Sequence, residues 1–189
     1  MPQVQNAAIL AGGKSSRMGR DKALLDFNGQ PLISHIAQIL APIFDETIVV
    51  TSNPKIAEAA NLPAVADTFP NRGPLAGIHA ALSHYQAPTF VIACDMPHLN
   101  ADFIRYLIQD FDGAARVPLS DDGFEPLHAI YAATSRPTFE HYLRIEGKMP
   151  PLRRVLEEIG ADWVAPEIAR GFDSELKMFD NWNTPADVE

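Results

Sequence analysis

The chain has 189 residues, 47% hydrophobic and 21% charged, which is typical of a globular protein that buries its own core. Its length predicts one domain over residues 1–189, and its single cysteine excludes a disulfide framework. The net charge of −9 disfavours nucleic acid and anionic membranes as partners. Neither a secretory signal nor an apolar run of about 20 residues is visible, so we expect a cytoplasmic protein without a membrane span.

Apolar runs alternate with helical patterns along the first half of the chain. Residues 7–11, 47–51 and 89–93 are apolar or β-branched runs that stop at glycine or polar residues, as buried strands that feed loops do. Apolar residues at helical spacing fill the intervals, over 32–43 and 75–85. The alternation predicts an α/β fold with a mostly parallel sheet that binds its ligand at the carboxyl ends of the strands.

The second half of the chain predicts a mixture of helices and strands. Helices are expected over 100–111, near 135–145 and near 151–159, and strands over 114–118 and 128–132. A Ser-Asp-Asp-Gly turn lies between the two strands, which therefore form either a hairpin or an excursion of a mixed sheet.

A glycine-rich basic segment follows the first apolar run and is the strongest local sign of function. Gly12 and Gly13 let the backbone approach a ligand and present N–H donors to phosphate oxygens. Arg17 and Lys22 belong to a basic cluster over 14–22 that can neutralise a triphosphate. Neither the Walker A spacing nor the dinucleotide fingerprint fits. The segment predicts a phosphate loop of another kind, with a solvated basic loop as the alternative.

Asp95 lies directly after the third predicted strand. A carboxylate at a strand end suits Mg²⁺, which takes one or two carboxylates together with substrate phosphates. A helix cap or a turn is the alternative, and for Asp67 turn capping is nearly as well supported. Cys94 is expected to be a small apolar filler rather than a nucleophile. The six histidines lack the spacing of a zinc site.

These segments resemble the molybdenum cofactor guanylyltransferases, which are MobA-like nucleotidyltransferases. The N-terminal sequence LAGGKSSRMGRDKALL carries most of the resemblance. Four later segments follow in order and spacing: Asp67, Gly73-Pro74-Leu75-Ala76-Gly77, Cys94-Asp95-Met96-Pro97 and Asn181-Trp182-Asn183-Thr184-Pro185. The resemblance implies a three-layer nucleotide-binding α/β sandwich of the nucleotide-diphospho-sugar-transferase type, with a mixed, mostly parallel sheet.

The resemblance also implies roles for single residues. The residues expected along the guanine nucleotide are Leu10, Ala11, Gly12, Gly13, Lys22, Asp67 and Gly73. Lys22 would contact the phosphates and, with Arg17, stabilise the charge that develops there, while Asp95 would bind Mg²⁺. Relatives often carry Asn directly after the second strand. This chain has Thr51 there and Asn53 two residues later, so either side chain could face the nucleotide.

The acceptor side is less defined. Asn181 and Asn183 flank Trp182 and could hydrogen-bond a polar pterin, with turn formation as the alternative. Residues 125–129 resemble a family segment near the acceptor. Arg153 could reach an acceptor phosphate, although an arginine on an exposed helix face is more often solvated.

The activity implied by the resemblance is transfer of GMP from Mg-GTP to the terminal phosphate of molybdopterin or Mo-molybdopterin, which forms the guanine dinucleotide and pyrophosphate. Other proteins of molybdenum cofactor biosynthesis and insertion are candidate partners. The Gly12-Gly13 pair goes with guanine in this superfamily, whereas cytidylyl relatives tend to carry Ala-Ala-Gly. The alternatives are cytidylyl transfer to molybdopterin, transfer to another phosphorylated metabolite, and a GTP-binding module without turnover.

Overall fold

The computed structural model describes residues 4–12 and 21–182, and over these residues it contains ten strands and seven α-helices. The strands are β1 (Asn6–Leu10), β2 (Asp26–Phe27), β3 (Gln30–Pro31), β4 (Glu46–Val50), β5 (Ala64–Val65), β6 (Thr89–Ala93), β7 (Ala115–Ser120), β8 (Gly123–Phe124), β9 (His128–Tyr131) and β10 (Asp162–Val164). The helices are α1 (Leu32–Leu40), α2 (Pro54–Ala60), α3 (Pro74–Tyr85), α4 (Ala101–Ile108), α5 (Arg136–Arg144), α6 (Leu152–Glu158) and α7 (Pro166–Arg170).

Eight of the strands form one mixed sheet with the order β10-β7-β9-β6-β1-β4-β5, in which β8 pairs with β7. The neighbours β5, β4, β1 and β6 are parallel, and β10 is parallel to β7. β9 is antiparallel to both β6 and β7. The strands β2 and β3 form a separate hairpin, where Asn28 and Gly29 both have positive φ, as a tight two-residue turn requires.

The order of the strands reverses at β1. β4 and β5 follow on one side of β1, and β6 then lies on the other side. Such a reversal in an α/β sheet leaves a crevice at the carboxyl ends of the strands. Leu10 pairs with both Val50 and Ala93, so β1, β4 and β6 end at one level.

Helices cover both faces of the sheet. Along β1, Ala7 and Ile9 belong to one buried core, and Ala8 and Leu10 belong to the other. The first core includes residues of α1, α2 and α4, and the second includes residues of α3, α5 and α6. Strands buried on both faces read as continuous apolar runs. The expected three-layer α/β sandwich is therefore confirmed.

Most predicted elements are present with shifted ends. The helix expected over 100–111 ends at Ile108. The strands expected over 114–118 and 128–132 pair antiparallel with each other, as in a hairpin, and both belong to the mixed sheet, so the two expected arrangements occur together. The sequence did not predict the short strands β2, β3, β5, β8 and β10, because two or three residues give too little periodicity to recognise. It also did not predict the helices α2 and α7, which have seven and five residues. Over 4–12 and 21–182, no helix combines the length and the apolar character needed to cross a membrane.

Candidate functional site

A cleft of about 790 Å³ lies at the carboxyl ends of β1, β4 and β6. The three strands end level with one another, so the residues that follow them meet at its floor. Ala11 donates its N–H to the carbonyl of Val50 at 3.1 Å, and Cys94 donates to the carbonyl of Leu10 at 3.1 Å. These two bonds extend the sheet by one residue and fix the start of the glycine-rich segment against its neighbours.

Leu10, Ala11 and Gly12 form one wall of the cleft. Gly77 of α3 packs so closely on Leu10 that a Cβ there would come within 2.9 Å of a Leu10 methyl carbon. At Gly12, in contrast, the atom of the described residues that a Cβ would meet is the carbonyl oxygen of Val50, at 3.8 Å. A Cβ at 77 would therefore force the Leu10 side chain to shift, whereas the described residues leave room for a Cβ at 12, where a ligand could require glycine.

Lys22 and Asp95 face each other in the cleft. The Lys22 ammonium donates to Oδ2 of Asp95 at 3.1 Å, and the two side chains are 25% and 23% exposed. Lys22 begins a short 3-10 helix before β2, and Asp95 lies two residues beyond the end of β6. The pair places a cation and a carboxylate within reach of a ligand in the cleft.

The C-terminal segment holds the backbone of Asp95. Trp182 donates its N–H to the Asp95 carbonyl at 2.6 Å. The Trp182 ring is buried and packs edge-on against Phe27 of β2, with 5.4 Å between ring centroids. Asn181 is exposed and immediately precedes this anchor, although it is outside the set of residues that line the cleft.

Thr51 and Asn53 have different positions. Thr51 is buried and lines the cleft, and its Oγ1 accepts a hydrogen bond from the Asn53 N–H at 3.1 Å. Asn53 caps α2 by accepting from the Lys55 N–H at 3.1 Å, and its amide donates to Oδ2 of Asp21 at 2.5 Å. Of the two candidates, Thr51 lies on the wall of the cleft, while Asn53 holds Asp21.

The loop over 66–73 forms the opposite wall. Asp67 lines the cleft, and its Oδ1 accepts from the Phe69 N–H at 2.7 Å, so the turn-capping alternative describes this contact. Gly73 has φ of 72° and precedes Pro74, the first residue of α3. A positive φ at Gly73 lets the chain enter α3 directly from the loop. The amino end of α3 thus borders the cleft and adds the positive end of its dipole to the site.

Cys94 lines the cleft as a protonated thiol. Burial, reinforced by the negative charge of Asp95, raises the pKa of Cys94 to about 12. A thiol with so high a pKa is a poor nucleophile at neutral pH. Cys94 also packs against the hydrophobic core, as the prediction of a small filler requires.

The residues expected near the acceptor separate in the structure. Leu127 lines the cleft, whereas His128 is fully buried and packs against phenylalanine rings of the core. Ser120 donates to Glu125 at 2.6 Å, and burial raises the pKa of that carboxyl group. Arg153 is outside the cleft lining, because it pairs with Glu157 at 3.0 Å and its guanidinium lies over a tryptophan ring of β10.

The cleft offers few ligands for a metal. Across 4–12 and 21–182, no three His, Cys, Asp or Glu side chains group closely enough to hold a metal ion by themselves. Asp95 supplies a hard carboxylate in the cleft, which fits a Mg²⁺ ion held mainly by substrate phosphates.

Three residues expected in the site, Gly13, Arg17 and Asn183, lie outside the described residues. The sequence interpretation missed one cleft residue that carries charge, Asp21. Its position directly before Lys22 is the signal that the sequence offers, but a carboxylate within a basic cluster carries no local sign that it lines a cleft.

Comparisons with known proteins assign the chain to a family and identify similar sequences and structures. Residues 7–163 match the family described as the MobA-like NTP transferase domain. The chain is 36% identical to the molybdenum cofactor guanylyltransferase of Syntrophotalea carbinolica, over 97% of this chain and 89% of that protein. The crystal structure of molybdopterin-guanine dinucleotide biosynthesis protein A from Archaeoglobus fulgidus has a TM-score of 0.81 and 29% identity, with coverage of 97% and 94%.

A more distant structure shares the fold alone. The 4-diphosphocytidyl-2C-methyl-D-erythritol synthase of Anaerococcus prevotii has a TM-score of 0.68 at 14% identity, with coverage of 98% of this chain and 93% of that chain. At this level of identity the likeness concerns the α/β sandwich fold and nothing further.

Proposed function

Because this chain belongs to the family of MobA-like NTP transferases, we propose that it transfers GMP from Mg-GTP to the terminal phosphate of molybdopterin. An oxygen of the acceptor phosphate forms a bond to the α-phosphorus of GTP, and the bond from that phosphorus to the bridging oxygen breaks. Pyrophosphate leaves, and the product is the guanine dinucleotide. No covalent intermediate with the protein is required, because the acceptor phosphate is itself a nucleophile.

The observation that carries the proposal is the position of Lys22 and Asp95 in a cleft at the strand reversal. Ligands of α/β sheets bind at such a reversal. In our proposal the nucleotide lies along Leu10, Ala11 and Gly12, with its phosphates toward Lys22. Thr51 on one wall contacts it, and the opposite wall contributes Asp67 and Gly73.

Asp95 is the residue that would hold Mg²⁺, since its carboxylate lies in the cleft beside a cation that phosphates attract. When bound, Mg²⁺ supplies neutralisation of charge on the phosphates. The Lys22 ammonium lies where it can exchange its hydrogen bond to the Asp95 carboxylate for one to a phosphate oxygen. We propose that Arg17, outside the described residues, provides a second cation. Positioned charges of this kind commonly contribute about 3–4 kcal/mol to stabilisation of a transition state.

The acceptor is expected beyond the Asp95 end of the cleft. The support is the anchoring of the C-terminal segment on the backbone of Asp95 by Trp182, which brings Asn181 close to the reacting end. Asn181 and Asn183 would donate and accept hydrogen bonds with a pterin, whether or not it carries molybdenum. We further propose that residues 1–189 act as one domain in the cytoplasm, in contact with proteins that make or receive the cofactor.

The direct test is a transfer assay. Purified protein is incubated with Mg²⁺, molybdopterin and GTP labelled at the α-phosphate, and the expected product is a labelled dinucleotide together with pyrophosphate. CTP in place of GTP is expected to give little product. Binding of GTP without any labelled dinucleotide would contradict the proposal, and preferential use of CTP would reassign the base.

A further inference from the structure

The loop over 66–73 has two faces. Asp67, Asn71 and Gly73 line the cleft. Phe69 and Arg72, which alternate with them, contact the neighbouring helices α3 and α5 instead. The contacts of Phe69 and Arg72 with the helices therefore determine the position of the loop residues that line the cleft.

Arg72 clamps the loop to the carboxyl end of α5. Its guanidinium donates to four backbone carbonyls that lie more than 60 residues further along the chain. These are Leu143 at 3.1 Å from Nε, Gly147 at 3.0 Å from Nη1, Tyr142 at 3.2 Å from Nη2, and Ile145, also from Nη2. The last carbonyls of a helix have no partner within the helix, and a cation is favourable there. The planar fork of arginine can satisfy several of them at once, which lysine cannot.

Phe69 provides a second, independent point of attachment. Its ring packs edge-on against His79 of α3, with 5.2 Å between centroids, and the guanidinium of Arg144 lies over it at 5.6 Å. The Arg72 N–H also donates to the Phe69 carbonyl at 3.3 Å. Two contacts a few residues apart thus fix the same loop against the layer of helices.

From these contacts we infer that Arg72 is a positioning residue, which sets the nucleotide-facing wall of the cleft by tying the 66–73 loop to the end of α5. This inference rests on the proposed function in one respect only, namely that the cleft binds a nucleotide. Arg72 itself does not line the cleft. Its effect on the nucleotide is therefore transmitted through Asp67, Asn71 and Gly73.

The chain offers a matched control. Arg116, at the beginning of β7, donates to the carbonyls of Leu107, Gln109 and Asp110 at the carboxyl end of α4. It is half-buried like Arg72 and lies outside the cleft lining. Arg72→Ala and Arg116→Ala each remove a guanidinium that caps a helix, but only the first changes the cleft wall.

The experiment compares nucleotide binding and steady-state kinetics in these variants. We expect Arg72→Ala to raise both the Kd and the KM for GTP about tenfold, with kcat within about threefold of wild type. Both alanine variants are expected to lower the thermal midpoint of unfolding by similar amounts. Arg116→Ala should leave the Kd and the KM for GTP unchanged. Arg72→Lys keeps the charge but not the fork, so its KM should fall between wild type and alanine.

Each outcome decides the inference. Wild-type Kd and KM in Arg72→Ala, or equal increases in the two alanine variants, would show a structural role alone. If Arg72→Ala does not fold, Arg72→Lys and Phe69→Leu take its place, and unchanged KM in both overturns the inference. Wild-type protein that binds GTP but forms no dinucleotide refutes the proposed transfer while leaving this comparison intact. Wild-type protein that binds no nucleotide refutes both.

Discussion

Lys22 and Asp95 form an ion pair in the cleft, with Nζ 3.1 Å from Oδ2 and both side chains about three-quarters shielded from solvent. An ion pair with this much exposure contributes only about 0–1 kcal/mol to stability. The ion pair therefore matters for ligand binding more than for the stability of the fold. In the ligand-free protein each group balances the other, and a nucleotide with its metal would supply a new partner to both.

Asp95→Asn is expected to leave the fold intact and to lower the rate of transfer by about 100-fold or more. The amide keeps the size of the side chain but loses the charge that a divalent ion needs. The measurement is dinucleotide formation as a function of Mg²⁺ concentration. Asp102→Asn is the control, because Asp102 is an exposed carboxylate paired with Arg105 on α4. Near-normal turnover of Asp95→Asn would remove Asp95 from metal binding.

Without divalent metal, the two halves of the pair are expected to affect GTP binding in opposite directions. Lys22→Gln removes a cation from the phosphates and should weaken binding about tenfold. Asp95→Asn removes a negative charge that repels the triphosphate and releases Lys22 from its carboxylate, so binding should be equal or tighter. Titration calorimetry with GTP in the presence of a chelator makes the comparison. Weaker binding in both variants would mean that the nucleotide needs the intact pair.

Gly12→Ala is expected to change the choice of base without weakening the fold. A Cβ at this position has room among the residues that the structure describes, of which the nearest atom is the Val50 carbonyl oxygen at 3.8 Å. The added methyl group instead narrows the cleft along the proposed nucleotide. We expect KM for GTP to rise about tenfold and KM for CTP to change much less, with an unchanged thermal midpoint. Equal effects on the two nucleotides would contradict a role for Gly12 in base selection.

We expect His128 to make the free energy of unfolding depend on pH in the acid range. It is fully buried, with Phe90, Phe103 and Phe179 around it, and neither ring nitrogen has a hydrogen-bond partner among the described residues. Burial lowers the pKa of His128 from 6.5 to about 3. Between these values the unfolded chain takes up a proton that the folded chain does not. The free energy of unfolding should therefore fall with decreasing pH, by up to about 1.4 kcal/mol per pH unit from this group.

His128→Leu tests this contribution. We expect the variant to lose less stability between pH 6.5 and pH 4 than the wild type, and to be at least as stable at pH 7.5, because no unpaired polar group is then buried. Denaturant unfolding at several pH values gives the comparison. His84→Gln, at an exposed position on α3, is the control and should follow the wild-type pH dependence. A parallel pH dependence in His128→Leu would exclude His128 as the source.

The three central strands at the floor of the cleft were predictable because their signals are local. Each of the three central strands is a short apolar run. The residues that line the cleft follow directly after these runs, namely Gly12 after β1, Thr51 after β4, and Cys94 and Asp95 after β6. Parallel strands bring their carboxyl ends to one edge. The site therefore followed from the order of the elements, and the expected three-layer sandwich is confirmed by the two cores.

The contacts that complete the site were not predictable, because they join residues far apart in the chain. Lys22 and Asp95 are separated by 73 positions, and Arg72 reaches carbonyls 70 to 75 positions away. No local pattern marks an arginine whose partners are backbone oxygens of another helix. Whether Thr51 or Asn53 faces the cleft likewise depended on where α2 begins. The Asn53 side chain caps that helix, so its oxygen already has a hydrogen-bond partner.

The sequence by itself thus determined the order of strands and helices and which polar residues stand at the strand ends, because hydrophobic periodicity and turn residues act over a few positions. Only the tertiary structure decided which of those residues pair, which cap helices and which line the cleft. These outcomes depend on side chains meeting across the sheet edge and between layers, where packing and unpaired backbone groups set the geometry.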